Sequence, residues 1–263
     1  MTMTASTAFA RTVRGSGPGL LLAHGAGGGT EANYGPIMEE LSARHTVVGV
    51  DYPGSGATPK ADQPLEIDGL VDQLTTAADA QGLDTFAVSG YSLGGAVAIR
   101  LAARHPERVT ALVLSATFAH ADTRTSLAAS VWHQLFESGE HTVLAQYLNL
   151  MALSEPVLNS LTPAQLHTAA EQLAANLPVG TPEQVDLVRR ADVRGDLAGI
   201  AVPTLVVVTT ADPLISPTLQ RELAAAIPTA EVAELRSGHL PFAERPQEWA
   251  KLIGDFLARH RKH

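Results

Sequence analysis

Residues 90–94, Gly-Tyr-Ser-Leu-Gly, place a serine between two glycines where the chain changes character. The segment follows the apolar run 85–89 and precedes the helix-like run 95–101. A strand, a Gly-x-Ser-x-Gly turn and a helix in this order are typical of a nucleophile elbow, where glycine avoids clashes in a strained turn. The motif can also occur by chance in a chain with 22 glycines. Its context nevertheless predicts that Ser92 is a nucleophile.

A serine hydroxyl needs a base, and an acid that orients the base, before it can attack a carbonyl carbon. His239 is the candidate base, because it follows the last apolar segment in a loop opened by Gly238. Asp212 is the candidate acid, since it comes just after the apolar run 204–208, at the sheet edge that the elbow would share. Segment 114–118 carries no carboxylate, which favours Asp212. The alternative is that Asp212, which precedes a proline, is only a turn residue.

A negatively charged oxygen forms when serine attacks a carbonyl, and backbone N–H groups must stabilise it. The Leu93 N–H, directly after the nucleophile, is one predicted donor. The second is expected from the glycine-rich loop 24–29, with Ala26 the first choice and Gly27 the next. A phosphate-binding loop is the competing interpretation, but no Gly-Lys-Ser/Thr follows and no acidic ribose partner is suitably placed. We expect a structural role for His24 at the head of this loop.

Short apolar runs alternate with helical segments over most of the chain. The predicted strands are 20–23, 46–50, 86–89, 110–114, 204–208 and, more weakly, 231–235. The predicted helices between and after them are 67–81, 96–103, 217–226 and 247–259. Continuous apolar runs of this length suit strands buried on both faces, so the pattern predicts an α/β fold with a mostly parallel sheet flanked by helices.

The alternation stops between residues 118 and 199, where helix signals replace strands. Segments 127–136 and 142–151 have helical apolar spacing, and Thr162 and Thr181 each begin a Thr-Pro-x-Gln capping-box pattern. We therefore predict a helical insert, residues 118–199, in a core formed by residues 1–117 and 200–263. Its expected role is a lid over the catalytic edge, and a dimerisation surface is the alternative. The candidate pocket residues beneath it are Phe118, Trp132, Leu214 and Leu240.

Composition excludes several classes of function. The 263 residues carry a net charge of −9 and no cysteine, which disfavours nucleic acid as a partner and excludes disulfides and thiolate metal sites. Residues 1–7 lack the charged start and apolar stretch of a signal peptide, and the short basic tail 259–263 has the composition of a frayed end. No apolar run is long enough to span a bilayer. We expect a cytoplasmic monomer or homodimer that acts on a small molecule without metal or cofactor.

From about residue 18 to 259 the chain resembles the α/β-hydrolase family. The resemblance rests first on the elbow, on the chain order of Ser92, Asp212 and His239, and on the glycine loop that begins at His24-Gly25. Segments 51–56 and 105–109 also fit the family pattern, as does Gly238-His239 followed by Glu244-Arg245-Pro246. The resemblance implies the family fold, an elbow serine as nucleophile and Asp51 as a loop anchor. One departure is segment 209–211, Thr-Thr-Ala, where relatives usually carry a glycine shortly before the acid.

Serine at the elbow also limits the reaction that the resemblance implies. Epoxide hydrolases and haloalkane dehalogenases of this family use an aspartate there, so acyl transfer is expected instead. Hydrolysis of a carboxylic ester or lactone is the broadest expectation. Thioester hydrolysis, C–C cleavage of diketones and cofactor-free perhydrolysis use the same constellation. A protein of another class, a ligand sensor that retains the triad but turns over slowly, is a further alternative.

Overall fold

The computed structural model describes residues 9–260. Residues 1–7, which lack the pattern of a signal peptide, and the last three residues of the basic tail lie outside this range. Within it, no helix is both long enough and apolar enough to cross a membrane.

Seven strands form one sheet in the order β1-β3-β2-β4-β5-β6-β7. Every neighbouring pair is parallel except β1 and β3, which are antiparallel. The strands are β1 (Arg11–Arg14), β2 (Gly19–Ala23), β3 (Thr46–Val50), β4 (Phe86–Tyr91), β5 (Val109–Ser115), β6 (Thr204–Thr209) and β7 (Ala230–Leu235). The predicted α/β class and mostly parallel sheet are therefore confirmed.

Helices cover both faces of the sheet, fill the insert and follow the last strand. They are α1 (Thr30–Tyr34), α2 (Met38–Ser42), α3 (Ile67–Asp79), α4 (Leu93–Arg104), α5 (Thr123–Glu137), α6 (His141–Ala152), α7 (Glu155–Ser160), α8 (Pro163–Ala175), α9 (Thr181–Arg190), α10 (Arg194–Leu197), α11 (Pro217–Ala225), α12 (Pro241–Glu244) and α13 (Pro246–Arg259). A short 3₁₀ helix, Gly35–Ile37, joins α1 to α2.

Two hydrophobic clusters lie on the two faces of the sheet. Alternate residues of each strand point to opposite faces: Leu20 and Leu22 of β2 join the cluster with α1, α2 and α13, while Leu21 and Ala23 join the cluster with α3, α4 and α11. The central strands are apolar at successive positions because both faces are covered. Packing on both faces therefore fixes the position of the sheet edge at which the strands end.

Strand β1 is absent from the sequence prediction for a physical reason. It lies at the edge of the sheet, and its four residues, Arg-Thr-Val-Arg, are mostly exposed. An exposed edge strand needs no apolar run, and charge on it discourages pairing with another chain. The periodicity that identifies the buried strands is therefore missing.

The two predicted capping boxes have different outcomes. At Thr162 the box is present, because the threonine side chain accepts from the Gln165 N–H and the glutamine side chain accepts from the Thr162 N–H. At Thr181 the prediction is wrong, since Gly180 is the N-cap and Thr181 is the first helical residue. The fully buried Gln184 does not turn back to cap α9; its amide instead makes hydrogen bonds to the core.

The segment 118–199 leaves the core after β5 and returns before β6. It contains α5 to α10 and no strand, apart from an isolated bridge between His120 and Asp192. Next to that bridge, the Val193 N–H donates to the Ala119 carbonyl over 2.8 Å. Helices α5 to α9 thus form the body of the helical insert, while α10 packs against α4 of the core.

Candidate active site

The elbow holds Ser92 in a strained conformation between β4 and α4. Its φ of 52° and ψ of −122° lie in a region that is costly for a residue with a side chain. A Cβ on Gly90 would meet the Gly94 carbonyl, and one on Gly94 would meet the Ala23 carbonyl. The Thr117 hydroxyl donates to the Ser92 carbonyl over 2.6 Å. The surrounding chain thus fixes the strained serine at the carboxyl edge of the sheet.

His239 lies within hydrogen-bonding distance of both Ser92 and Asp212. His239 Nε2 is 3.0 Å from Ser92 Oγ, and His239 Nδ1 is 2.8 Å from Asp212 Oδ2. Because a carboxylate only accepts, Nδ1 carries the proton and Nε2 is free to accept the serine proton. The exposed fractions of the three residues are 8%, 4% and 4% in that order. The three side chains have the arrangement of a nucleophile, a base and an orienting acid.

The carboxylate of Asp212 is held by several donors at the end of β6. Oδ1 accepts from the backbone N–H groups of Leu214 and Ile215, each over 2.9 Å. Oδ2, the oxygen that faces the histidine, also accepts from the Thr209 hydroxyl over 2.9 Å. That hydroxyl accepts from Nε2 of the fully buried Gln220 over 2.8 Å. The threonine that departs from the family pattern is thus an additional support for the carboxylate.

The glycine-rich loop after β2 is held from both sides. The Gly25 N–H donates to Asn33 Oδ1 and the Gly27 N–H donates to Gln184 Oε1, each over 2.9 Å. The bond to Gln184 takes the Gly27 N–H away from the oxyanion position, so of the two predicted donors in this loop Ala26 is the one with a free N–H. Sequence reasoning missed Asn33 and Gln184, because they lie outside the loop, on α1 and on the insert.

The N–H groups of Ala26 and Leu93 have no acceptor within the part of the chain that the structure describes. Leu93 is the first residue of α4, so its N–H is one of the donors that a helix leaves unpaired at its start. The positive end of the helix dipole adds to the attraction for a negative charge there. Both N–H groups are therefore free to donate to a ligand bound at the serine.

His24 and Asp51 have structural partners rather than catalytic ones. His24 Nδ1 donates to the Gly25 carbonyl over 2.8 Å, and Nε2 accepts from the Tyr52 N–H over 2.9 Å. Asp51 Oδ1 accepts from the Thr30 N–H over 2.8 Å. These contacts fix both ends of the loop that carries Ala26, in agreement with the expected structural roles.

Burial of His24 makes stability depend on pH. Desolvation lowers the pKa of His24 from 6.5 to about 4, so below pH 6.5 the unfolded chain binds a proton that the folded chain does not. Stability is therefore lost as pH falls from 6.5 towards 4. Between pH 7 and pH 5 we expect this histidine to account for about 2 kcal/mol of lost unfolding free energy. Urea unfolding at both pH values measures it.

The variant His24→Gln provides the comparison, because glutamine keeps a hydrogen-bonding side chain and does not titrate. Its unfolding free energy at pH 7 is expected to be lower than that of the wild type, but it should fall less between pH 7 and pH 5. An equal fall in the two proteins would show that His24 is not the titrating group.

A small cavity adjoins Ser92 between the core and the insert. The space in it for a water-sized sphere is about 20 Å³, and one water needs roughly 10–15 Å³ on this measure. It is lined by Ala26, Ser92, Phe118, Thr125, Ala129, Trp132, Val185, Val188, Leu214 and Ile215. A larger surface groove of about 570 Å³ along residues 58–70 contains none of the three catalytic candidates.

Three of the four predicted pocket residues line this cavity: Phe118, Trp132 and Leu214. Leu240 does not line it, because the chain turns into α12 immediately after His239. The lining residues that sequence reasoning missed come mainly from α5, α9 and the turn after Asp212. The spacing 125, 129 and 132 along α5 was the available signal, since these positions share one face of a helix.

The insert is attached to the loop that carries His239. The His239 N–H donates to the Ala152 carbonyl over 2.7 Å, and the Ser154 N–H and hydroxyl donate to the two oxygens of Glu244 over 2.8 and 2.6 Å. Burial raises the pKa of Tyr91 well above its usual value, so this phenol stays protonated and donates to the His239 carbonyl over 3.0 Å. The position of the base therefore depends on both the core and the insert.

Comparison with known proteins agrees with this geometry. A family model described as the alpha/beta hydrolase fold matches residues 18–246. The chain belongs to the α/β-hydrolase family. It is 31% identical over 247 residues to the pyrrolizixenacetamide deacetylase of Xenorhabdus hominickii, covering 93% of this chain and 92% of that protein. It is 32% identical over 248 residues to a pimeloyl-acyl-carrier-protein methyl ester esterase of Neisseria meningitidis, covering 90% and 92%.

Solved structures give the same fold. The enol-lactonase of Burkholderia xenovorans superposes with a TM-score of 0.85 at 24% identity, covering 95% of this chain and 96% of that one. At this identity the likeness shows the fold alone. Together with the family match and the esterase-named relatives, it makes this α/β-hydrolase a hydrolytic enzyme.

Proposed function

We propose that this α/β-hydrolase cleaves a small carboxylic ester or lactone, with Ser92 as nucleophile, His239 as base and Asp212 as the acid that orients it. The observation that carries the proposal is the continuous hydrogen-bonded chain from Ser92 Oγ through the imidazole to Asp212 Oδ2, with distances of 3.0 and 2.8 Å. The relatives' names, a methyl ester esterase and a deacetylase, support carbonyl substrates with a small group on one side.

The proposed reaction has two halves. His239 Nε2 takes the proton of Ser92 as Oγ bonds to the carbonyl carbon, and the N–H groups of Leu93 and Ala26 stabilise the oxyanion. When the tetrahedral intermediate collapses, the C–O bond to the alcohol breaks and His239 returns the proton to the leaving oxygen. A water then repeats the sequence on the acyl-enzyme, which releases the acid and restores Ser92. Asp212 stabilises the imidazolium that forms in each half.

A panel of small substrates tests the reaction class. We expect hydrolysis of phenyl acetate, a short methyl ester or a γ-lactone with kcat/KM on the order of 10⁴ M⁻¹s⁻¹ or higher for the best of them. An acetyl thioester and a β-diketone measure two of the other reactions of the same constellation. Faster cleavage of the thioester or the diketone than of every ester and lactone would contradict the proposal. Tight binding with negligible turnover throughout would favour the ligand sensor instead.

The proposed assembly is a monomer or homodimer in the cytosol that acts on a small molecule without nucleic acid or membrane. The net charge of −9 supports the part that concerns nucleic acid, because an acidic surface repels a phosphate backbone. The insert is proposed as a lid, supported by its contacts to the oxyanion loop and to the histidine loop.

A further inference from the structure

Two side chains that line the cavity beside Ser92 carry a polar atom without a hydrogen-bond partner. Among residues 9–260, Thr125 Oγ1 and Trp132 Nε1 are buried without a hydrogen bond, and both residues line the cavity. Thr125 is only 2% exposed. A buried donor or acceptor left unpaired costs free energy, so such atoms are normally paired in native proteins. Two of them on an otherwise apolar wall indicate that a polar group of a ligand belongs there.

The cap of α5 shows why the Thr125 hydroxyl has no partner within the helix. The cap of α5 is made by Asp122, whose side chain accepts from the Thr125 backbone N–H over 2.7 Å, so the threonine hydroxyl is not needed for it. Thr125, Ala129 and Trp132 share one face of α5, and all three line the cavity. The indole packs against Gly27, where an added Cβ would meet the benzene-ring carbons Cζ2 and Cη2 of Trp132. This side chain therefore lies between α5 and the oxyanion loop.

The cavity suits the acyl part of a substrate better than the alcohol part. The acyl group stays bonded to Ser92 through both halves of the proposed reaction, so it must occupy space that adjoins this residue. The alcohol has to leave after the first half. With about 20 Å³ of space, the cavity holds one or two atoms beyond the carbonyl carbon, since each water-sized group needs roughly 10–15 Å³.

We propose that Thr125 and Trp132 select a short acyl group that carries its own oxygen, such as a hydroxyacetyl group, over an alkyl group of the same size. The indole N–H can only donate, so the substrate must supply an acceptor for it, and the Thr125 hydroxyl can donate or accept. A hydroxyl on the α-carbon of the acyl group meets both requirements, whereas a methyl group there leaves both protein atoms unpaired. This inference rests on the proposed ester hydrolysis and specifies its acyl substrate.

Two esters of equal size and equal leaving group provide the test: phenyl glycolate and phenyl propionate differ only by OH in place of CH₃. The measured quantity is the ratio of their kcat/KM values, glycolate over propionate. Because the chemical reactivity of the two esters is the same for every variant, a change in the ratio between variants reports recognition by the protein. We expect Thr125→Val and Trp132→Phe each to lower the ratio about fivefold, as loss of one hydrogen bond predicts.

Two further variants serve as controls. Thr125→Ser restores the hydroxyl and is expected to keep the wild-type ratio within about twofold of its value. Ser130→Ala removes a hydroxyl of α5 that bonds to the Ser126 carbonyl and does not line the cavity, so it should leave activity and ratio unchanged. The rate of fluorophosphonate labelling at Ser92 checks that each variant has folded with an intact site.

The measured ratio separates the polar subsite from ester hydrolysis itself. An unchanged ratio in both Thr125→Val and Trp132→Phe, with normal hydrolysis of either ester, would overturn the polar subsite and leave ester hydrolysis standing. The same conclusion would follow if both variants changed the two esters by equal factors. If the wild-type enzyme hydrolyses neither these esters nor any other member of the substrate panel, the proposed function falls and the subsite falls with it.

Discussion

Replacement of Ser92 by alanine is expected to reduce kcat for the best ester about a millionfold, the size of loss seen when a nucleophile of this kind is removed. The alanine keeps the Cβ and the backbone of the elbow but removes the only atom that can bond to the acyl carbon. What remains is the effect of the two N–H donors and of substrate binding, which still exceeds the reaction in water. Initial rates over a long assay, with purified variant and wild type side by side, measure the loss.

Covalent labelling identifies the serine directly. A fluorophosphonate should modify the wild-type enzyme at Ser92, as mapped by mass spectrometry of the digested protein, and should not modify Ser92→Ala. The matched control is Ser138→Ala, which removes an exposed hydroxyl just after α5 that donates to the Leu135 carbonyl. It should keep wild-type activity and labelling. A label on a different serine, or a variant at position 92 that retains activity, would show that the elbow does not carry the nucleophile.

The sequence predicted the elements whose composition reflects burial on both faces. The six predicted strands lie within one or two residues of their bounds in the structure. Five of them, β2 to β6, are apolar runs because a covered parallel sheet needs apolar side chains at successive positions. The sixth and weakest, 231–235, falls on the edge strand β7, of which only Leu235 is buried. The edge strand β1 was not predicted, since none of its four residues is buried and they form no apolar run. The capping pattern at Thr181 failed for a related reason: Gln184 is buried, and its contacts with the core decide its conformation.

In the candidate site, the sequence likewise predicts some residues and not others. Ser92, Asp212 and His239 could be chosen because each follows a strand, and the carboxyl ends of parallel strands share an edge. Nothing in a linear pattern identifies the residues that brace them. Gln184 reaches the oxyanion loop from 157 positions away in the chain, and Gln220 supports Asp212 both directly and through the Thr209 hydroxyl. Such contacts arise from packing of the insert and of α11, so they need the folded structure.

Replacement of His239 by alanine is expected to cost nearly as much as loss of the serine, about a millionfold in kcat, because a neutral hydroxyl is a poor nucleophile without a base. The double variant Ser92→Ala, His239→Ala should be no slower than either single variant, since the two residues act as one unit. Asp212→Asn is expected to lose less, about ten-thousandfold, because an amide at this position favours the wrong imidazole tautomer but leaves the base in place.

Rates of the three single variants and of the double variant measure this pattern, with His133→Ala as a matched control. His133 also lies on α5, and it borders a surface groove with Glu183 and Asp186 rather than the cavity beside Ser92. It should therefore keep activity within about twofold. A further large loss in the double variant would mean that Ser92 and His239 act independently. Wild-type rates in Asp212→Asn would place the acid elsewhere.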